Sequence, residues 1–133
     1  MFKARRLQET DYDNLIEWWR YFRFPAPARE FLPENGTCGL IIHKEGIDIC
    51  AGFIYFTNSK IAWIEFIVSN PEYKDKNRQE AIKILIRELG VVIKNKGYKA
   101  IYTSLKNPNL IKHFKAEGFS VGSSNTVEMI ISL

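Results

Sequence analysis

Residues 70–81, Asn-Pro-Glu-Tyr-Lys-Asp-Lys-Asn-Arg-Gln-Glu-Ala, join a strongly apolar strand pattern to a helical one. A helix opening there leaves its first amides without intrahelical acceptors, and those amides favour an anion. Lys74, Lys76 and Arg78 add positive charge, while Asp75 and Glu80 weaken it. The chemistry on offer is a cradle for a pyrophosphate. The plainer alternative is a solvated turn of mixed charge.

A second stretch, Asn107-Pro-Asn-Leu-Ile-Lys-His-Phe-Lys-Ala-Glu-Gly-Phe119, reads as a short helix. Asn107 is its cap, Pro108 its first residue and Gly118 its stop. Glu65 lies in an otherwise apolar run, Ile61-Ala-Trp-Ile-Glu-Phe-Ile-Val68, where apolar neighbours raise a carboxyl pKa toward proton-transfer use. Its alternative is a glutamate on the solvent side of a strand. Tyr102 and Ser104 carry hydroxyls at a strand end, able to hold a substrate or a relay water, or merely to bond backbone. His113 is a candidate acid, or a surface histidine. In Trp18-Trp-Arg-Tyr-Phe-Arg-Phe24, cations alternate with aromatics, a pattern that can stack bases and neutralise phosphates. The competing reading puts Trp18, Trp19 and Phe22 in the core and Arg20 and Arg23 in water.

The elements that must position these groups follow from periodicity. Residues 2–7 form a short strand. A helix capped by Thr10 or Asp11 runs over 11–23, with apolar residues at helical spacing. Three prolines and Asn35-Gly36 make the next stretch an ordered loop with at most a short helical turn. Strands follow at 37–43, 47–57 and 61–69, as an antiparallel meander. Ile82, Leu85, Ile86, Leu89, Val92 and Ile93 mark one face of a helix over 76–96. A strand at 99–105, a helix at 108–117 and two final strands at about 119–123 and 126–132 complete the chain. The order is β-α-loop-β-β-β-α-β-α-β-β. The fold class is α/β, a central mixed sheet flanked by helices, with a parallel crossover between the fourth and fifth strands.

At 133 residues, of which 46% are apolar, the chain is expected to form a single domain over 1–133 with a real core. No apolar run approaches the roughly 20 residues of a membrane span, and the first residues lack the apolar region of a signal peptide, so a cytoplasmic protein is expected. Cys38 and Cys50 read as reduced buried thiols. His43 and His113 have no Cys or second His at ligand spacing, and no metal is expected. The net charge of +4 suits a phosphate-bearing ligand or an acidic partner and is weak support for nucleic acid.

Together, the two loop-helix segments and the element order resemble the GNAT (Gcn5-related N-acetyltransferase) superfamily over nearly the whole chain, most strongly over 61–119. Asn70-Pro71-Glu72-Tyr73 matches the stretch that follows the family's fourth strand, and residues 74–79 occupy its pyrophosphate loop. Asn107–Phe119 matches its later motif. The short length and the Trp-Trp, Leu-Pro and Asn-Gly layout are also similar to small phage-encoded members.

The resemblance implies acetyl-CoA as cosubstrate and direct attack of an amine on its thioester. It implies a cofactor site along Val68, Ser69, Lys74, Lys76, Asn77, Arg78, Gln79, Asn107 and Phe114, with strand amides near Val68 and Ser69 as oxyanion donors. Glu65 is then the candidate base, with Ser104 and His113 beside it in the catalytic set. Arg23, Phe24, Arg29 and Phe31, in or next to the proline-rich loop, are expected to wall an acceptor site suited to an acidic or planar acceptor. The departures are equally specific. Asn77 and Gln79 replace both loop glycines, Lys74 replaces Gln or Arg, and Phe114 stands where the family often has a tyrosine acid. Three functions follow: an N-acyltransferase, small-molecule or protein-directed, acting as monomer or homodimer; a binding module of the same fold that has lost catalysis; and a nucleic-acid-directed enzyme.

Overall fold

The computed structural model describes residues 1–133. Five strands form one sheet in the order β1-β2-β3-β4-β5: β1 Lys3–Arg6, β2 Gly39–Lys44, β3 Ile47–Phe56, β4 Ile61–Ser69 and β5 Ala100–Tyr102. The first four pair antiparallel, and β5 joins β4 in parallel. Three α-helices accompany them: α1 Tyr12–Tyr21, α2 Arg78–Asn95 and α3 Pro108–Ala116. The α2 crossover is what makes the parallel pair possible, since parallel strands need a long connection.

Strand alternation divides the core between the two faces of the sheet. Ile41, Ala51, Phe53 and Val68 pack with Leu15, Trp18 and Trp19 of α1. Leu40, Ile42, Cys50, Ile54 and Ile64 pack with Leu85, Ile86, Leu89 and Ile93 of α2 and with Phe114 of α3. Neighbouring residues of β2, such as Ile41 and Ile42, thus feed opposite layers, which explains why the central strands read as continuous apolar runs. Gly52 of β3 lets α2 approach: a Cβ there would sit 3.0 Å from Leu89 Cδ1.

The chain enters α1 through a 3-10 turn at Glu9–Asp11. The Asp11 carboxylate accepts from the Gln8 amide at 2.7 Å and from both Arg5 terminal nitrogens at 2.9 and 2.8 Å. Burial pushes the Asp11 carboxyl up, but these donors and the Arg5 charge outweigh it and hold its pKa below the usual value. A depressed carboxylate contributes stability above its unfolded pKa and loses it as pH falls through the folded value. Asp11→Asn should therefore flatten the acid side of the stability–pH curve below the ordinary Asp pKa of about 3.9, read by urea melts from neutral pH downward.

The structure differs from the sequence expectation in several places, among them β5, expected over 99–105 but ending at Tyr102. The proline-rich loop holds two 3-10 turns, Arg29–Phe31 and Pro33–Gly36, with Glu34 and Asn35 at φ 50° and 55°. Phe22 is not in the core but half exposed at the end of α1. The two final strands do not form: beyond the Phe119 amide, which donates to Phe114 O, no residue to 133 takes part in a backbone hydrogen bond. Alternation predicts what a strand would bury, but a ladder also needs a neighbour in register. Cys50 is buried as expected, whereas Cys38 is half-buried. No helix is long and apolar enough to cross a membrane.

Candidate active site

β4 pairs with β5 only through Ile61, Ala62 and Trp63. Beyond that point the Thr103 hydroxyl donates to Ile64 O at 2.6 Å and the two strands part. On its other side β4 is bulged: Ala51 and Phe53 of β3 face Val68 and Glu65, and Phe66 adopts φ 58°. The far half of β4 therefore presents one edge with no strand beside it. Backbone groups on such an edge are free to meet a ligand.

An open cleft of about 260 Å³ lies at this end of the sheet. Ile67, Val68 and Ser69 of β4, Arg78, Gln79 and Ile82 of α2, and Asn107, Asn109, Leu110 and His113 around α3 line it, with Phe22 at one side. The start of α2 is built to leave donors open. The Arg78 amide bonds Asp75 O, the Asn77 amide bonds the Asp75 carboxylate at 3.0 Å, and the Ala81 amide bonds Asn77 O. The amides of Gln79 and Glu80 have no acceptor in the protein. Two free amides and the Arg78 guanidinium at one helix start are donors of the kind an anion can use.

Asn77 has ordinary backbone geometry and needs none of a glycine's freedom. Its φ is −74°, and its side-chain oxygen accepts from the Tyr73 hydroxyl at 2.6 Å. Tyr73 thus pins the loop, a partnership no spacing argument reveals. At the start of α3, the Asn107 side chain accepts from the amides of Asn109 and Leu110 at 2.8 and 3.3 Å. Asn107 both caps its helix and lines the cleft.

Of the residues singled out from sequence, Val68, Ser69, Arg78, Gln79, Asn107 and His113 meet at this cleft. Lys74 and Lys76 are exposed on the approach to α2, outside its lining. Phe114 lies in the core at 2% exposure, edge-on to Phe119 at 5.0 Å, so it does not line the cleft. His113, the residue before it, does. Burial, with a smaller push from the Lys83 charge, lowers the His113 pKa.

Glu65 is half-buried, three residues before Val68 on β4. One carboxylate oxygen accepts from the Ser104 backbone amide at 2.9 Å, and the Thr103 hydroxyl, whose single hydrogen it shares with Ile64 O, lies 3.3 Å from the same oxygen. Burial raises its pKa and outweighs these two donors, with a further push from Glu128. Ser104 thus acts through its amide, not its hydroxyl, and Thr103 is a partner that sequence reasoning missed. A strand-end Thr in an apolar context gives no signal of which carboxylate it will reach.

On the other side of the bulge, Phe66 meets Trp19, Phe24 and Tyr55 rings at 6.4 to 6.5 Å. Phe24 and Phe31 are substantially exposed, and Arg23, also exposed, sits at φ 56°. Arg29 faces inward: its guanidinium lies 4.4 Å from the Tyr12 ring centre and donates to Glu9 O at 3.0 Å. It fastens the loop to the start of α1, so its charge is already engaged. Trp18 and Trp19 are buried, and Arg20 pairs with Glu17. Those tryptophans offer no face on which a base could stack. No group of three or more His, Cys, Asp or Glu residues is placed to hold a metal ion.

No protein-family model matches the chain, and no curated protein matches it by sequence. Solved structures do match. The ribosomal-protein-S18-alanine N-acetyltransferase of Escherichia coli superposes with a TM-score of 0.75 at 16% identity, over 92% of this chain and 80% of that one. Glucosamine-6-phosphate N-acetyltransferase of Arabidopsis thaliana gives 0.68 at 18% identity, over 98% and 99%. N-acetylglutamate synthase of Neisseria gonorrhoeae, complexed with coenzyme A and L-arginine, gives 0.74 at 15% identity, over 96% of this chain and 29% of that one. Likeness at such identities speaks for backbone architecture alone. By its mixed five-stranded sheet, flanking helices and splayed fourth and fifth strands, this chain has the fold of the GNAT acetyltransferases.

Proposed function

We propose that residues 1–133 are a single-domain N-acyltransferase that uses an acyl-CoA, acetyl-CoA being the simplest donor, and an amine acceptor. The observation that carries this reading is the cleft that Arg78 and Gln79 line together with the far half of β4, at a helix start whose Gln79 and Glu80 amides are free. These donors fit the pyrophosphate of a coenzyme A, and Ile67, Ile82 and Leu110 offer an apolar floor for its pantetheine arm. The replaced glycines are no obstacle at Asn77, whose backbone is not left-handed. The two N-acetyltransferases and the coenzyme A complex of N-acetylglutamate synthase that share the fold support the same reading.

In this reaction the amine nitrogen bonds the thioester carbonyl carbon and the C–S bond then breaks, leaving an amide and a thiolate. Glu65 takes the proton that the ammonium must lose. Its raised pKa keeps it a stronger base than a surface carboxylate, and the Ser104 amide and Thr103 hydroxyl hold it in place. An amide on the free edge of β4 near Val68 or Ser69 stabilises the oxyanion. His113, neutral at pH 7 because its pKa is lowered, donates a hydrogen bond to the departing sulfur. A thiolate leaves without a strong acid, so the loss of the tyrosine at position 114 is tolerable. The exposed Phe24 and Phe31 rings and Arg23 wall the acceptor side.

A thermal melt with CoA and with acetyl-CoA tests the reading. At about 100 times Kd the ligand adds about 2.7 kcal/mol and raises the midpoint by several degrees. Arg78→Glu should weaken CoA binding at least about tenfold, since a charge-assisted bond contributes about 1.5–3 kcal/mol. A folded protein whose midpoint neither ligand moves would instead be a binding module on this fold.

A further inference from the structure

Tyr55, Trp63 and Tyr102 stand side by side across three strands. Tyr55 of β3 pairs with Trp63 of β4, and Trp63 pairs with Tyr102 of β5. Paired residues share a face of the sheet, and Tyr55 packs against the α1 layer of the core, so the row lies on the α1 face. The helix leaves the far end of the row uncovered: Trp63 and Tyr102 belong to neither core layer. Their ring centres are 5.2 Å apart at 42°, and Tyr102 is 50% exposed. Glu65, two residues on from Trp63 and paired with the core residue Phe53, is on the same face. At about 3.4 Å per residue it follows Trp63 by about 7 Å along the strand. The Ser104 amide and the Thr103 hydroxyl meet Glu65 through Oε1 alone, and no cation pairs with it. A buried Oε2 would be an orphan, and the protein has no orphaned buried side-chain oxygen, so Oε2 is open to a ligand.

We propose that the acceptor is a primary amine on a short arm from a flat aromatic ring, the ring stacking on Trp63 and Tyr102 and the ammonium bonding Glu65 Oε2. The proposal rests on the N-acyltransferase reading above and names the acceptor class for that same site. A carboxylate with one free oxygen suits an ammonium, and adjoining ring faces attract the same charge. A pair of exposed rings suits a third ring in offset or edge contact. The row carries no cation to hold an acidic acceptor and no second carboxylate to hold a polyamine. Of the acidic and planar acceptors that the sequence left open, it therefore selects the planar one. The separation of Trp63 and Glu65 along β4 is of the order of the span from a ring centre to an amine two carbons away. At the near end of the row the Tyr55 hydroxyl donates to Phe31 O at 2.7 Å, which fastens the proline-rich loop beside it. Glu65 Oε2 is then the atom that receives the ammonium proton before the nitrogen attacks.

Thiol release from acetyl-CoA is followed with 2-phenylethylamine, 2-cyclohexylethylamine, spermidine and glutamate as acceptors, beside a thermal melt with CoA. The first two amines share an arm and an ammonium and differ in whether the ring is flat and aromatic. The expected result is a kcat/KM highest for 2-phenylethylamine, roughly three- to tenfold above its cyclohexyl counterpart. Trp63→Leu and Tyr102→Leu keep apolar bulk at positions outside both core layers, so each variant should stay folded by circular dichroism and keep the CoA midpoint shift. Each should erase most of the phenyl preference. A protein that binds CoA but leaves the phenyl amine unacetylated, or turns over any of the other three as fast, overturns the proposal and leaves the acyltransferase reading standing. A phenyl preference that survives both substitutions does the same. A folded protein that neither binds CoA nor acetylates any of the four overturns the acyltransferase reading itself, and the proposal with it.

Discussion

Glu65→Gln is expected to lower kcat/KM for acetyl transfer by about 10²–10⁴-fold, the usual contribution of a positioned general base, while leaving CoA binding and the melting temperature nearly unchanged. Glutamine keeps the shape and can still accept from the Ser104 amide and the Thr103 hydroxyl. It cannot take a proton. The pH profile separates this role from a structural one. A base works only when deprotonated, so the wild-type rate should fall as pH drops through the Glu65 pKa. That fall should occur above the ordinary glutamate range, because burial raises the carboxyl. The glutamine variant should lose that limb. Thr103→Val removes a donor that favours the charged carboxylate, so it should move the limb to still higher pH. A Glu65→Gln enzyme with wild-type turnover and an unchanged acid limb would remove Glu65 from the mechanism.

The largest effect on stability is expected from Leu89→Ala. Leu89 is fully buried on the face of α2 that packs on β3, with its Cδ1 directly over Gly52. Truncating a buried leucine costs about 2–5 kcal/mol, because lost burial and a residual cavity add. For a domain of this length that lowers the melting temperature by roughly 8–20 °C. Gly52 has no side chain with which to fill the space, so the upper part of the range is expected. Denaturant melts at constant m-value measure it directly. Gly90, one residue further along α2, meets only Ile101 Cδ1 at 3.9 Å if given a Cβ. Gly90→Ala should accordingly be neutral or stabilising, which makes it a control for the position of the buried face.

Most of the architecture was written in local chemistry. The spacing of Ile82, Leu85, Ile86, Leu89 and Ile93 determined the helix and the face it buries, because a period of 3.6 aligns those side chains whatever lies opposite. Asn107-Pro108 determined where α3 begins, since an Asx oxygen and an imino nitrogen suit a helix start by themselves. Ile61–Ser69 formed the strand its composition implied. That Val68, Ser69, Arg78, Gln79 and Asn107 belong together was implied by the resemblance to the GNAT superfamily, and they line one cleft.

What depended on contacts distant in sequence was not legible. Phe114 and His113 are neighbours on one helix, and only the packing of α3 against the sheet decided that the ring enters the core and the imidazole lines the cleft. Arg29 looked free to meet a substrate until Tyr12 and Glu9 claimed it. Glu65 was held by residues 38 and 39 positions away. Alternation over 126–132 specified a strand, but a strand exists only where a second strand takes up its hydrogen bonds, and none pairs with these residues. Sequence alone determined periods, caps and turns because each is decided within a few residues. The tertiary structure decided which polar groups were already satisfied, because hydrogen bonds and burial are settled between elements that only folding brings together.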